Sequence, residues 1–313
     1  MLKQISLLIL CAAAIVLFAT PVQACTSAVV SGKVTPDGRP LLWKNRDTDF
    51  MRNHIDYVKG EKYNFIAVVN SANAYLKEAW MGTNSAGFAL MNTQSYNLVD
   101  IKGDEERGAA NGRVIYRALE VCATVADFCY FLDTISKPSD IEANFGVIDA
   151  QGGAAMFEVD YYKYVMYDAN NPKDAPYGYI ARTNFSFAGK VNEGAGYVRY
   201  MEADQVLMKA SATGSITPQF IFNDLSRSFR NRMLDIDLRS GAYNRPQASG
   251  WFVDQDFIPR SSTSCSVVVQ GVKPGEKAEL TTMWTLLGYP PTGIAIPLWV
   301  KDAGKLLPGM VRF

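Results

Sequence analysis

From Thr26 to Asn92 the apolar residues come in short runs, at 26–30, 41–44, 65–69 and 88–91, rich in Val, Ile, Leu and aromatics. Between them lie Pro36-Asp37-Gly38, Lys59-Gly60 and Asn84-Ser85-Ala86-Gly87. Gly and Asn tolerate positive φ and Pro presets φ, so these are turn segments. Short runs bounded by turns predict antiparallel strands with short connections. The period then changes. Val114, Ile115, Ala118, Leu119 and Cys122 recur on one helical face, and Thr124 with Asp127 three residues on has the form of a capping box. It opens a second helix with Phe128, Leu132 and Ile135 inward, so two helices are expected within 111–136. Strand patterns return at 145–149, 154–159, 164–167 and 178–183, helical ones at 197–210 and 218–229, and a last β-rich block covers 264–270, 277–285 and 293–297. Blocks of strands interleaved with blocks of helices predict an α+β layered fold rather than a doubly wound parallel sheet.

Residues 1–24 stand apart. Lys3 is followed by an apolar stretch over 5–19, and Val22-Gln23-Ala24 places small residues at −3 and −1 of a cleavage point. That is the form of a signal peptide, too short to span a bilayer comfortably. Cleavage after Ala24 leaves 25–313 as one domain with no integral membrane segment, exported to the periplasm or secreted. No repeat, low-complexity tract or linker divides it.

Composition narrows the chemistry. Thirty-one basic residues balance 31 acidic ones without a long run of either sign, which excludes a nucleic-acid partner. With one histidine, His54, multi-histidine metal sites are out, a Ser-His or Cys-His mechanism would have to use that one imidazole, and the proton chemistry of an enzyme is expected elsewhere. His54 itself, after Met51-Arg52-Asn53, reads as an exposed loop residue. Cys122 and Cys129 on one continuous helix would lie about 10 Å apart, beyond the roughly 7 Å reach of a disulfide. They read as small buried residues, and the tryptophans, Trp251 among them, as core.

Cleavage after Ala24 puts a thiol and a free α-amine on the same residue, Cys25. An amine with a pKa of about 7.7 to 8.0 can take the proton of a thiol near 8.5. The thiolate can then attack an amide carbonyl and form an acyl-enzyme that water or an amine releases. Two other readings use the same residue. Val22-Gln23-Ala24-Cys25 approximates a lipobox, which would make Cys25 the lipid-bearing residue of a non-catalytic lipoprotein. Gln23 fits that motif poorly, and the chain runs from Cys25 straight into a strand with no tether. Cys25 can also be an ordinary structural cysteine.

Cys25-Thr26-Ser27, then Asp37-Gly38, then Lys44-Asn45-Arg46-Asp47 resembles the start of the N-terminal-nucleophile hydrolases of the choloylglycine hydrolase and penicillin V acylase superfamily. Among its branches the chain is most similar to the isopenicillin N (acyl-CoA:6-aminopenicillanic acid) acyltransferase-like proteins, with motifs in order to about Pro297. The resemblance implies a four-layer αββα fold, two antiparallel sheets covered by helices, with Cys25 at a strand start between the sheets. Carried over by position, Cys25 is the nucleophile and Asp47 holds its amine. Lys44 stands where bile salt hydrolases have an arginine, and Arg46, on the same strand face, can substitute; both are substrate-binding candidates.

In Gly82-Thr83-Asn84-Ser85-Ala86-Gly87-Phe88-Ala89-Leu90-Met91-Asn92, Asn84 and Gly87 match the family's turn and Asn92 its oxyanion-hole amide. Arg182-Thr183-Asn184 matches the segment whose asparagine is a second polar contact near the oxyanion. Arg199, after Gly194-Ala195-Gly196, matches an arginine that pairs with Asp47 or the nucleophile's surroundings, with Gly196 in place of the usual serine. Thr263-Ser264-Cys265 resembles a late family strand and receives no catalytic role.

The implied activity is that of a cysteine amidohydrolase or acyltransferase on a linear non-peptide C–N amide: an N-acyl amino acid, a bile-acid conjugate or a penicillin-like molecule. No metal or organic cofactor is implied; the partners are a small-molecule amide, signal peptidase for maturation and further copies of the chain in a homo-oligomer. A dipeptidase of the related N-terminal-nucleophile peptidase branch shares the Cys-Thr start and the Asn-x-Asp. Selectivity between these substrates would lie in loops 50–64 and 92–108.

Overall fold

A computed structural model describes residues 24–99, 108–240, 256–304 and 307–312. The expected signal peptide up to residue 23, Trp251 and part of the 92–108 loop lie outside the described residues.

The chain opens with β1 (Thr26–Val30), β2 (Leu41–Asp47), β3 (Asn53–Val58), β4 (Phe65–Asn70), β5 (Met81–Asn84) and β6 (Ala89–Gln94). Helices α1 (Asn111–Val121) and α2 (Val125–Thr134) precede β7 (Ala143–Ile148), β8 (Ala154–Val159), β9 (Tyr164–Asp168) and β10 (Tyr179–Arg182). Then come α3 (Tyr197–Ala212), a short α4 (Pro218–Phe220) continuing into a π turn (Ile221–Leu225), and a small ribbon of β11 (Arg230–Asn231) with β12 (Ile236–Asp237). The chain ends with β13 (Thr263–Gln270), β14 (Thr282–Leu287), β15 (Ile296–Leu298) and α5 (Val300–Ala303).

Two antiparallel sheets result. One has the order β10-β1-β2-β13-β14-β15, the other β3-β4-β5-β6-β7-β8-β9. Side chains alternate across a strand, and here both faces of the central strands are apolar. Val29, Leu42, Val267 and Val269 of the first sheet meet Ile66, Val68, Met81, Met91 and Met156 of the second. The opposite face of the second sheet packs on α1 and α2 through Phe65, Leu90, Phe145, Ile115, Leu119 and Phe128. The opposite face of the first packs on α3 and the π turn through Trp43, Val268, Leu207 and Ile221. Three apolar interfaces between four layers make the fold αββα.

The helix signals hold in detail. Thr124 Oγ1 accepts from Asp127 N while the Asp127 carboxylate accepts from Thr124 N, the reciprocal capping box. The helices break at Cys122, so Cys122 and Cys129 sit on separate elements; Cys122 is core and Cys129 half-buried. Asn84 Oδ1 accepts from Ala86 N and Phe88 N at the β5–β6 turn, and its Nδ2 donates to Leu119 O and Cys122 O at the end of α1.

Four expectations are corrected. β3 and β5 were not legible, because in Asn53-His54-Ile55-Asp56-Tyr57-Val58 and Met81-Gly82-Thr83-Asn84 the strand formers are interrupted by polar and small residues, and the segments are held extended by pairing with β4 and, for β5, with β6 as well. His54 accordingly lies on β3, half-buried, with Nδ1 3.0 Å from Ser71 Oγ, not in an exposed loop. The helix expected over 218–229 is one turn followed by a π turn: Ser226 N bonds back to Ile221 O and Ser228 N to Leu225 O, so the i to i−4 ladder is not continued. The strand expected from 277 begins at Thr282, after a 3₁₀ turn at Ala278–Leu280.

Phe128 is the hub of the helix-covered face of the second sheet, with ring centroids 5.1 Å from Phe157, 5.9 Å from Phe145 and 6.3 Å from Phe88. Phe128→Ala is expected to cost about 3–5 kcal/mol in urea unfolding. It should leave turnover per folded molecule unchanged, because this layer is on the far side of the second sheet from Cys25.

Candidate active site

Cys25 immediately precedes β1 and is buried. Thr26 and Ser27 pair with Asn45 and Lys44, and alternation places Cys25 with Ser27 and Val29 on the face turned to the second sheet. β2 carries the neighbouring polar residues in strict alternation. Lys44 and Arg46 share the inter-sheet face, while Asn45 reaches the helix side, where its Nδ2 donates to Ser226 O. The Cys25 thiol makes a weak contact with Asp47 O at 3.9 Å.

Asp47 is held on both oxygens. Arg260 Nε donates to Oδ2 at 2.9 Å and Thr263 Oγ1 to Oδ1 at 2.6 Å. Arg260 Nη2 also donates to Ala24 O at 3.1 Å, so the same guanidinium bridges the carboxylate and the peptide ahead of Cys25. Burial pushes the Asp47 carboxyl above its ordinary value, while Arg260, Arg199 and Thr263 pull it back.

Arg199 is buried beneath the start of β1. Its Nη1 donates to Cys25 O at 2.6 Å and Thr26 Oγ1 at 2.8 Å, and its Nη2 to Asn184 Oδ1 at 2.7 Å. Of the two partners expected for it, the nucleophile's surroundings are the ones it bonds; Asp47 takes Arg260 instead. Burial lowers the Arg199 guanidinium to about 10, so it remains charged at neutral pH. Gly196 caps α3 at φ 85, and a Cβ there would lie 2.3 Å from Arg199 Nη2. The glycine thus leaves the guanidinium room in this position.

The two asparagines come to this end from opposite sheets. Asn92, on β6, accepts at Oδ1 from Lys44 Nζ at 2.9 Å. Asn184, just past β10, accepts from Arg199 and donates through Nδ2 to Gln94 O at 2.8 Å. The Asn184 segment is fastened to the second sheet. Glu158 on β8 accepts from Arg182 Nε at 2.6 Å and from Phe187 N and Ala188 N, while Asn144 Nδ2 donates to Thr183 O and Phe185 O. Arg182 also lies under the Phe187 ring, 3.9 Å from its centroid.

Lys44 and Arg46 are both buried with neutral partners. Lys44 donates to Trp80 O as well as to Asn92; Arg46 donates to Asn53 Oδ1 and Asn70 Oδ1 and lies over the Trp80 ring. Burial lowers both cations below their ordinary values. The other described thiols are pushed the other way by burial: Cys265 to about 11, Cys122 to about 12, and Cys129 upward.

Every residue expected at the site, Cys25, Lys44, Arg46, Asp47, Asn92, Asn184 and Arg199, therefore gathers at one end of the two sheets. Arg260, Thr263, Glu158 and Asn144 were missed. Thr263 stood inside a quoted motif but had no legible partner. Arg260, three residues ahead of it, had only that proximity as a signal.

The αββα architecture is that of the N-terminal-nucleophile hydrolases. Residues 34–211 match the family model of acyl-coenzyme A:6-aminopenicillanic acid acyl-transferase, and the chain belongs to that family. The matched stretch includes Lys44, Asp47, Asn92, Asn184 and Arg199; Cys25 and Arg260 flank it. No curated protein sequence matches. Among solved structures, a variant of conjugated bile acid hydrolase from Clostridium perfringens is similar at 14% identity and TM-score 0.48, over 91% of this chain and 94% of that one. Penicillin V acylase from Agrobacterium tumefaciens is similar at 15% identity and TM-score 0.42, over 84% and 82%. An N-acylethanolamine-hydrolyzing acid amidase ortholog from Caenorhabditis elegans is similar at 16% and TM-score 0.42, over 64% and 89%.

Removing one partner of a buried ion pair strands the other charge. Arg260→Met is expected to destabilise the chain by about 3–5 kcal/mol in urea unfolding. Asp47→Asn in the same molecule should restore part of that loss, because no carboxylate is then left unpaired.

Proposed function

We propose that the chain is an exported cysteine amidohydrolase that cleaves a linear non-peptide C–N amide through an acyl-enzyme on Cys25, and that can pass the acyl group to an amine. Cleavage after Ala24 frees the Cys25 nitrogen as the catalytic base. The observation that carries the reading is Cys25 with Arg199 on its carbonyl and on the Asn184 amide oxygen, beside Asp47, a carboxylate held on both oxygens, and with Asn92 tied to Lys44, the strand partner of Ser27.

The chemistry follows from those parts. The α-amine takes the thiol proton, and Asp47 beside it favours the resulting ammonium. The thiolate attacks the substrate carbonyl, and the negative charge on its oxygen is met by Asn92 Nδ2, with Asn184 as the second polar contact. The ammonium then gives its proton to the departing amine as the C–N bond breaks, leaving a thioester on Cys25. A water molecule, deprotonated by the same amine, attacks the thioester and releases the acid; an amine in its place gives acyl transfer. No step calls on an imidazole or a metal. Family membership supports the amide chemistry, and N-acyl amino acids, bile-acid conjugates and penicillin-like amides are the substrate classes to try first.

Intact-mass analysis of the exported protein is expected to give a mass beginning at Cys25. At neutral pH, iodoacetamide should add one group, at Cys25, because the other described thiols are held protonated. Cys25→Ala should abolish both alkylation and turnover on a panel of N-acyl amino acids, glycine-conjugated bile acids and penicillin V. A start later than Cys25, palmitate on Cys25, or turnover of dipeptides alone would overturn the reading.

A further inference from the structure

Lys44 is a buried ammonium whose hydrogen-bond partners are all neutral. It stands on β2 of the first sheet, yet its acceptors are Asn92 Oδ1 at 2.9 Å, on β6 of the second, and Trp80 O at 3.0 Å, just ahead of β5 of the second. Arg46, next on the same face, adds a second positive charge, and the negative groups that face Lys44 are Asp47 and, when ionised, Cys25 and Cys265. A buried charge without a carboxylate in hydrogen-bond contact costs stability. Such groups collect where function needs them.

The consequence for Asn92 is geometric. An amide can turn either its oxygen or its nitrogen toward a neighbour, but an ammonium has donors only. Lys44 therefore locks the Asn92 oxygen toward itself and turns both Nδ2 hydrogens away. Among the described residues no acceptor takes those hydrogens. A backbone carbonyl is the other tie on Lys44, so the lock does not depend on another side chain's rotamer.

We propose that Lys44 is a positioning residue: a strut across the two sheets that aims the Asn92 amide at the acyl oxygen of the tetrahedral intermediate. This rests on the reading of Cys25 as nucleophile and Asn92 as oxyanion donor. Lys44 acts through Asn92 and does not touch the substrate. The alternative is that its charge acts on the Cys25 thiolate itself, and the two are separable. Acylation by an ester passes through an oxyanion; alkylation by iodoacetamide does not.

The test uses the mature protein with p-nitrophenyl acetate for acylation and iodoacetamide for alkylation, on wild type, K44Q, N92A and K44Q/N92A. K44Q is expected to slow acylation by about 10–100-fold and N92A by about 100-fold or more. KM should move by less than about 3-fold and the alkylation rate should stay near wild type. In K44Q/N92A the acylation rate should equal that of N92A alone, because the strut then has nothing to aim. Multiplying effects in the double variant, or alkylation falling in step with acylation, overturns the proposal. If K44Q does not fold, N92D decides instead. It supplies a carboxylate for Lys44 but no N–H, so it should be at least as stable as N92A and equally slow. Replacing Lys44 by arginine in the N92D background should change acylation by less than about 3-fold, although K44R alone slows it. A K44R effect that persists in N92D, or N92D acylation above about a tenth of wild type, overturns the proposal. Cys25→Ala is the separate control: acylation that survives it sinks the nucleophile reading, whatever Lys44 does.

Discussion

Five charged side chains, Lys44, Arg46, Asp47, Arg199 and Arg260, are buried at one end of the two sheets, where water cannot solvate them. A charge persists there only if hydrogen bonds replace its hydration. That requirement shapes the site. Asp47 takes donors on both oxygens, from Arg260 and Thr263, and Arg199 takes Cys25 O, Thr26 Oγ1 and Asn184 Oδ1. The two cations on the inter-sheet face, with no carboxylate bonded to them, take amide oxygens from the second sheet, and Lys44 a backbone carbonyl as well. Each of these bonds crosses from one element to another, so the charges also fix how the elements meet.

The same logic orients the asparagines. Lysine and arginine can only donate, so each asparagine that faces one must present its oxygen and turn its nitrogen elsewhere. Asn92 faces Lys44 and Asn184 faces Arg199. In the proposed mechanism, where N–H groups must meet a developing oxyanion, donor-only neighbours set the amide orientation before substrate arrives, and preorganisation of that kind is the usual source of catalytic power in acyl transfer. The Glu158–Arg182 pair, sealed by Phe187 and backed by Asn144, does the corresponding work for the backbone that carries Asn184.

Gly196 shows how such an arrangement constrains sequence. Its positive φ starts α3, and the absence of a Cβ leaves the space that the Arg199 guanidinium occupies. In this chain the guanidinium that fills that space is the one that holds the Cys25 carbonyl.

Much of this was legible in the chain itself. Short apolar runs, turn residues and the Thr124–Asp127 capping box gave the α+β class and most element positions, because those depend on neighbours within a few residues; the αββα layering came only with the family resemblance. Cys25 stood out as a thiol behind an expected cleavage point, and Lys44, Arg46, Asp47, Asn92, Asn184 and Arg199 were singled out as site candidates because their short motifs resemble those of a known family. β3 and β5 were not, since their extended form is imposed by pairing with neighbouring strands, β4 for both and β6 for β5. Nor were the partners. That Asp47 takes Arg260 and Thr263, 213 and 216 residues away, and that Lys44 reaches Asn92 across the sheets, follows from strand order and sheet packing. Local composition carries no record of which distant residues those will bring together, so the sequence named the charges and only the tertiary structure chose their partners.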